Sequence, residues 1–175
     1  VGFPFAHAFF KQTLYEETFA PRRIRLHQQV GRALEEAYTD RLGEHAAELT
    51  EHFAQSTERE DLEKALRYGE MAAERAMSVY AYGEAVRLLD QALQVQEVLD
   101  PDDKAKRCDL LLSLGQAVMP AGDPLKAAEA VAPEAYDLAE EVDDNRRASV
   151  ACMLGMGGLI RYGGGMALTM PDYRL

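Results

Sequence analysis

The spacing of its apolar residues constrains this chain more than any other feature of the sequence. Apolar side chains return every three or four residues along almost the whole chain, which is the period of a helix that buries one face. Longer stretches in which β-branched and polar residues alternate, as they do in a half-buried strand, are absent from the sequence. The sequence therefore predicts an all-α fold of about eight helices. Residues 2–5 are the exception, because this short aromatic stretch is interpreted as the last strand of a preceding unit.

Composition and charge exclude several classes of protein. The chain has 175 residues, 47% of them hydrophobic, which suffices for one ordinary domain or a short array of repeats. Its 30 acidic and 19 basic residues give a net charge of −11, so direct nucleic-acid binding is not expected. No apolar run approaches the roughly 20 residues that cross a bilayer, and no signal peptide is recognisable. We therefore expect a cytoplasmic protein without membrane contact, whose two ends look like cuts through a longer polypeptide.

Prolines, glycines and capping residues set the limits of the predicted helices. These helices cover residues 6–18, 21–39, 40–54, a stretch from 61, 82–99, a stretch through 108–118, 125–142 and 145–161. Pro133 lies inside the seventh of them and is expected to kink or split it. The two cysteines, Cys108 and Cys152, follow no metal or redox spacing and are expected to be buried free thiols.

Alanine and glycine recur at the positions where predicted helices would cross. The helix that begins near residue 61 carries a stripe of small residues, which let two helix backbones approach closely. Ala73 is matched by Gly115 and Ala85 by Ala127, and both offsets are 42 residues (115 − 73 and 127 − 85). Internal repetition of this kind is typical of helical arrays, in which each hairpin buries its apolar stripe against its neighbours.

One motif extends from the fifth predicted helix into the next unit: Tyr82-x-x-Ala85-x-x-x-Leu89-x-x-Ala92-Leu93, with Leu114-Gly115 following. This motif resembles the tetratricopeptide repeat, although the offset of 42 residues in this chain is longer than the usual period of about 34 residues. The resemblance implies antiparallel helical hairpins stacked as a short solenoid with long, irregular repeats. A plain helical bundle is the alternative architecture.

Three segments in the first third of the chain form a second, distinctive combination: Phe3-x-Phe5-Ala6-His7-Ala8-Phe9-x-x-Gln12-x-Leu14-Tyr15, Arg22-Arg23-x-x-Leu26-His27, and His45-Ala46-Ala47-Glu48-Leu49-x-x-His52-Phe53. Together they resemble the junction in large multidomain signal-transduction ATPases. In that family a winged-helix domain precedes a tetratricopeptide-like array, and adenylate cyclase or transcriptional-activator domains lie elsewhere. The resemblance implies a winged-helix remnant over residues 1–20, a linking hairpin over 21–58 and an array over 59–175 that is truncated at its C-terminus. The phosphate-binding loop of such ATPases, G-x-x-x-x-G-K-[ST], is absent from this sequence.

These observations predict a non-catalytic interaction or regulatory segment that binds a protein or peptide partner and uses no cofactor. Aromatic side chains on the inner face of a helical array can hold a peptide, and the candidates are Tyr68, Tyr80, Tyr82 and Tyr136. A truncated array exposes apolar surface at its end, so self-association through the array ends is also expected.

Two alternatives involve histidine and arginine side chains. His45, Glu48 and His52 lie on one side of a predicted helix, and imidazole with carboxylate can bind a divalent metal such as zinc, so a small metal-dependent hydrolase is the alternative function. The two histidines are about 10.5 Å apart in helical rise, however, which favours packing at the edge of the core. Arg22 and Arg23 are an alternative phosphate-binding pair, although solvated or ion-paired charge is favoured there.

Overall fold

The structure, a computed structural model, describes residues 19–163. Within this range the chain contains α-helices with one 3₁₀ segment and one π segment, and no strand, which confirms the predicted all-α class. The strand predicted over residues 2–5, the helix over 6–18 and nearly all of the winged-helix remnant lie outside the described residues.

Eight α-helices are described, and they follow one another with short connections. Their bounds, with those of the 3₁₀ and π segments, are α1 Ala20–Ala37, the 3₁₀ segment Thr39–Glu44, α2 Ala46–Phe53, α3 Arg59–Ser78, α4 Tyr82–Leu99, α5 Lys104–Ala121, α6 Pro124–Lys126, the π segment Ala127–Val131, α7 Ala132–Glu141 and α8 Asn145–Gly163. The helices predicted over 82–99 and from residue 145 therefore begin at the expected residues.

The single helix predicted over residues 40–54 is wrong, because the chain changes direction before His45. Residues 39–44 form the 3₁₀ segment, in which Arg41 has a non-helical backbone (φ −138°). The His45 ring then stacks on Tyr38 with ring centroids 3.6 Å apart, and α2 begins at the next residue. As a result α2 has eight residues, or about 12 Å of length, beside neighbours more than twice as long.

The expected irregularity at Pro133 is confirmed, and it takes the form of the π segment. Proline has no backbone N–H to donate to the preceding turn, so regular α-helical hydrogen bonding is interrupted there. The Ala132 N–H instead donates to the carbonyl of Ala127, five residues back. Pro133 then lies in the first turn of α7, where its missing donor costs nothing.

Each long helix packs against the next, and the core is one cluster of alanine and leucine side chains that extends from α2 to α8. Small residues allow this close packing. A Cβ atom built at Gly115 of α5 would lie 2.2 Å from Leu154 of α8, and one built at Gly158 would lie 2.6 Å from the Pro124 carbonyl oxygen. None of the helices in residues 19–163 combines the length and apolar character needed to cross a membrane.

Candidate functional site

A polar groove lies between α1, α2 and α4. Its cavity has a volume of about 570 Å³. It is lined by one residue of α1, two from α2 and the turn after it, and four of α4, namely His27, Glu51, Gln55, Arg87, Asp90, Gln91 and Gln94. The groove exists because α2 has only two turns and leaves space between the longer helices on either side of it.

One face of α4 supplies most of the polar side chains. Arg87, Asp90, Gln91 and Gln94 follow at spacings of three, one and three residues, which places all four on the same side of the helix. Five apolar residues of α4 are buried in the core instead, and these are Ala85, Leu88, Leu89, Ala92 and Val95. Helix α4 is thus amphipathic, and its polar face forms one wall of the groove.

The positive charge of Arg87 is already paired within the chain. Its Nη2 and Nε donate to the Glu84 carboxylate at 2.6 and 3.0 Å, and Nη2 also lies 3.5 Å from Oε1 of Glu51. The hydrogen bond from Arg87 lowers the pKa of Glu84 below its ordinary value. On the same wall, Lys126 lies 4.0 Å from Asp90, which is a long ion pair.

Gln91 presents an unsatisfied acceptor at this groove. Its Oε1 atom is buried and has no hydrogen-bond partner among residues 19–163. Leaving a buried amide oxygen unpaired costs about 1–3 kcal/mol, so most native structures avoid it. A ligand N–H that bound this oxygen after a rotation of the Gln91 side chain would remove that cost.

Two histidines from different helices meet beside the groove. Nδ1 of His27 on α1 and Nδ1 of His52 on α2 are 2.9 Å apart, and their ring centroids are 5.0 Å apart. A hydrogen bond between two ring nitrogens requires one of them to be protonated and the other unprotonated. Burial lowers the pKa of His27, and the charges of His52 and Arg23 lower it further.

The structure divides the predicted metal-binding set between two places. His45 precedes α2, stacks on Tyr38 and has Nδ1 3.5 Å from Oε2 of Glu48, whereas His52 at the other end of α2 pairs with His27. In the part of the chain that is described, no group of three or more His, Cys, Asp or Glu side chains is arranged to hold a metal ion. The geometry therefore lends no support to the alternative of a metal-dependent hydrolase.

The four predicted partner-binding tyrosines do not share one surface. Tyr68 is 1% exposed, and its hydroxyl donates to Oε1 of Glu35 at 2.5 Å, so it is a core residue and cannot contact a partner in this structure. Tyr80, which is 78% exposed, lies edge-on to Tyr82 at the turn before α4. Tyr136 lies on α7 and lines a cleft between that helix and α8. The stripe that includes Tyr68 faces inward because both neighbouring helices cover it.

Arg22 and Arg23, the alternative phosphate-binding pair, lie at the beginning of α1. Arg22 is exposed and Arg23 is half-buried, and the positive charge of Arg23 acts on His27. Their backbone N–H groups donate to the Phe19 carbonyl oxygen at 2.9 and 3.1 Å. Neither side chain lines the groove.

An apolar cleft of about 460 Å³ lies between α7 and α8. Tyr136, Pro133, Cys152 and Met156 are among the residues that line it. Cys152 is exposed, so the expectation of a buried thiol is wrong for this residue, although Cys108 is buried as expected. Cys152 faces outward because no described helix covers that side of α8. The open side of α8 also exposes Met153.

The carboxamides Gln55, Gln91 and Gln94 line the groove but were not among the residues predicted from the sequence. A signal for two of them was present, because the polar residues of α4 repeat at helical spacing opposite its apolar stripe. Comparison with protein-family models, curated proteins and solved structures yields no match for this chain.

Proposed function

We propose that this chain is a non-catalytic interaction segment that binds a peptide segment of a partner protein in the groove between α1, α2 and α4. The observation that carries the proposal is a groove lined by three carboxamides, one of which, Gln91, has a buried and unpaired Oε1 atom. A carboxamide has one acceptor oxygen and two N–H donors, so it can accept from the N–H of a peptide backbone and donate to its carbonyl oxygen. Gln55, Gln91 and Gln94 would therefore bind the backbone of a peptide whatever side chains that peptide carries.

The wider setting is also a proposal, and it rests on the resemblances of the sequence. The chain would act in the cytoplasm as a regulatory part of a multidomain signalling ATPase or transcriptional regulator, with its helices stacked as a tetratricopeptide-like solenoid. The helix bounds support the repeat, because Pro124 of α6 follows Tyr82 of α4 by 42 residues (124 − 82) and Glu141 of α7 follows Leu99 by 42 residues (141 − 99). Binding in the groove needs no cofactor.

Self-association is proposed as a secondary property of the α8 end. Met153, Ile160 and Tyr162 of α8 are 59%, 49% and 60% exposed, and the apolar cleft with α7 lies beside them. Apolar surface of this kind is buried when two copies meet. Light scattering over a wide concentration range tests the idea, since a mass that stays monomeric throughout would contradict it.

Peptide selection followed by quantitative binding tests the proposed function. We expect a displayed library of random peptides to yield sequences that bind the full chain, and the double variant Gln55→Ala/Gln94→Ala to bind them about ten-fold more weakly, because each lost hydrogen bond is worth about 0.5–1.5 kcal/mol. Both side chains are exposed, so the fold is unaffected by the change.

A matched control removes two carboxamides that lie outside the groove. Gln29 on α1 and Gln116 on α5 are equally exposed, and Gln29→Ala/Gln116→Ala should leave the affinity within two-fold of the unmodified chain. Failure to select any peptide, or equal loss of affinity in the two double variants, would refute peptide binding in this groove.

A further inference from the structure

The hydrogen-bonding groups of the groove are unevenly satisfied. The cationic side chain of its lining, Arg87, donates twice to Glu84, and the Nδ1 atoms of His27 and His52 pair with each other. An arginine held in this way by a carboxylate at 2.6 and 3.0 Å offers little to an incoming anion. The groove is therefore a poor site for a ligand that brings negative charge.

Two carboxylates of the groove keep acceptor oxygens available to a ligand. The Glu51 side chain is 60% exposed and meets Arg87 at 3.5 Å, while the Asp90 side chain is 45% exposed and meets Lys126 at 4.0 Å. Strong ionic hydrogen bonds are about 2.7–2.9 Å long, so both carboxylates keep lone pairs that face solvent. The Oε1 atom of Gln91 is a third acceptor, without a partner in residues 19–163, and because it is buried it becomes accessible when the side chain rotates towards the groove.

We infer that the occupant of this groove is an extended peptide segment that carries lysine or arginine, an inference that rests on the proposed peptide-binding function. The cationic side chain pairs with Glu51 and Asp90, and a backbone N–H of the same segment donates to the Gln91 oxygen once that side chain rotates towards the groove. The net charge of −11 also attracts basic segments and repels acidic ones before contact.

Three capped pentapeptides that differ only in charge test the inference. The probes are acetyl-Ala-Lys-Ala-Lys-Ala-amide and its counterparts with glutamine or glutamate in place of both lysines. Each is titrated into the ¹⁵N-labelled full chain, and the dissociation constant is taken from the amide shifts of groove residues. We expect the lysine peptide to bind about five-fold more tightly than the glutamine peptide, and the glutamate peptide to bind most weakly.

Charge-neutralising variants then assign the preference to the groove. Glu51→Gln/Asp90→Asn should abolish the five-fold preference for the lysine peptide. The matched control Glu36→Gln/Asp102→Asn changes the net charge by the same amount, from −11 to −9 (−11 + 2), at two exposed acids outside the groove, and should keep the preference. Equal loss in the two variants would mean that the overall charge, and not the groove, selects the peptide, and would overturn the inference.

The outcomes separate this inference from the proposed function. If the glutamine and lysine peptides shift the groove residues with equal affinity, the preference for a basic segment is refuted while peptide binding stands. Tighter binding of the glutamate peptide also refutes the preference. If no peptide shifts the groove residues, both proposals fail.

Discussion

A buried polar cluster attaches α1, and with it one wall of the groove, to the rest of the fold. Asp61 of α3 is 1% exposed, and its Oδ2 atom accepts hydrogen bonds from Nε2 of Gln28 on α1 and from Oγ of Ser56, each at 2.8 Å. Arg32 of α1 lies 3.7 Å from the other carboxylate oxygen. We predict that Asp61→Ala destabilises the protein and loosens α1 in particular.

The size of the effect follows from these contacts. A hydrogen bond to a charged group contributes about 1.5–3 kcal/mol, so two of them contribute about 3–6 kcal/mol. Removal of the carboxylate also removes the cost of burying its charge. In addition, Gln28 can still donate to Ser56 at 2.9 Å. The lower end of this range of free energies therefore applies. We therefore expect Asp61→Ala to lower the free energy of unfolding by about 3 kcal/mol and Asp61→Asn, which keeps one acceptor oxygen, by about half as much.

Urea denaturation followed by circular dichroism at 222 nm measures the change. Asp102→Ala is the control, because Asp102 is exposed and should stay within about 0.5 kcal/mol of the unmodified chain. Limited proteolysis should cut Asp61→Ala first near the end of α1. An unfolding free energy for Asp61→Ala that equals the control would refute the argument that this cluster holds α1 in place.

Three further predictions concern other contacts. Because the pKa of His27 is lowered in the folded state, the unfolded chain binds more protons than the folded chain as the pH falls below about 6.5. The contribution of His27 to stability should therefore be highest above that pH and decline towards about pH 5. His27→Gln should flatten this decline when urea midpoints are measured against pH, and an unchanged profile would contradict the prediction. Gly158→Ala should lower the free energy of unfolding by about 1–3 kcal/mol, because the added Cβ lies 2.6 Å from a backbone oxygen. Gly83→Ala, which has open space around the added Cβ, should raise the thermal midpoint slightly. Equal effects of the two substitutions would argue against close packing at Gly158. Tyr68→Phe should lower the free energy of unfolding by about 1–2 kcal/mol through loss of the hydrogen bond to Glu35. Tyr136→Phe, at a partly exposed residue of α7, should have no measurable effect. A larger loss of stability for Tyr136→Phe than for Tyr68→Phe would contradict the burial of Tyr68.

The sequence alone determined the helical class and most of the helix limits. The period of the apolar residues, the prolines and the capping residues determine where helices form and end through interactions within one or two helical turns. They can therefore be interpreted from the sequence without knowledge of the fold. Helix α4, predicted over 82–99, occupies Tyr82–Leu99, and the irregularity expected at Pro133 appears as the π segment before it. In each case a local rule about backbone hydrogen bonds decides the outcome.

Only the tertiary structure decided which side chains meet. His52 was grouped with His45 and Glu48 as an alternative metal-binding set, yet it pairs with His27 on another helix, because α1 packs against α2. Tyr68 was a candidate for partner binding from the sequence, but neighbouring helices bury it in the folded protein. The groove itself requires a short α2 between long helices, and that shortness comes from the turn before His45. Contacts between helices depend on how the helices pack in three dimensions, which periodicity along one helix does not encode.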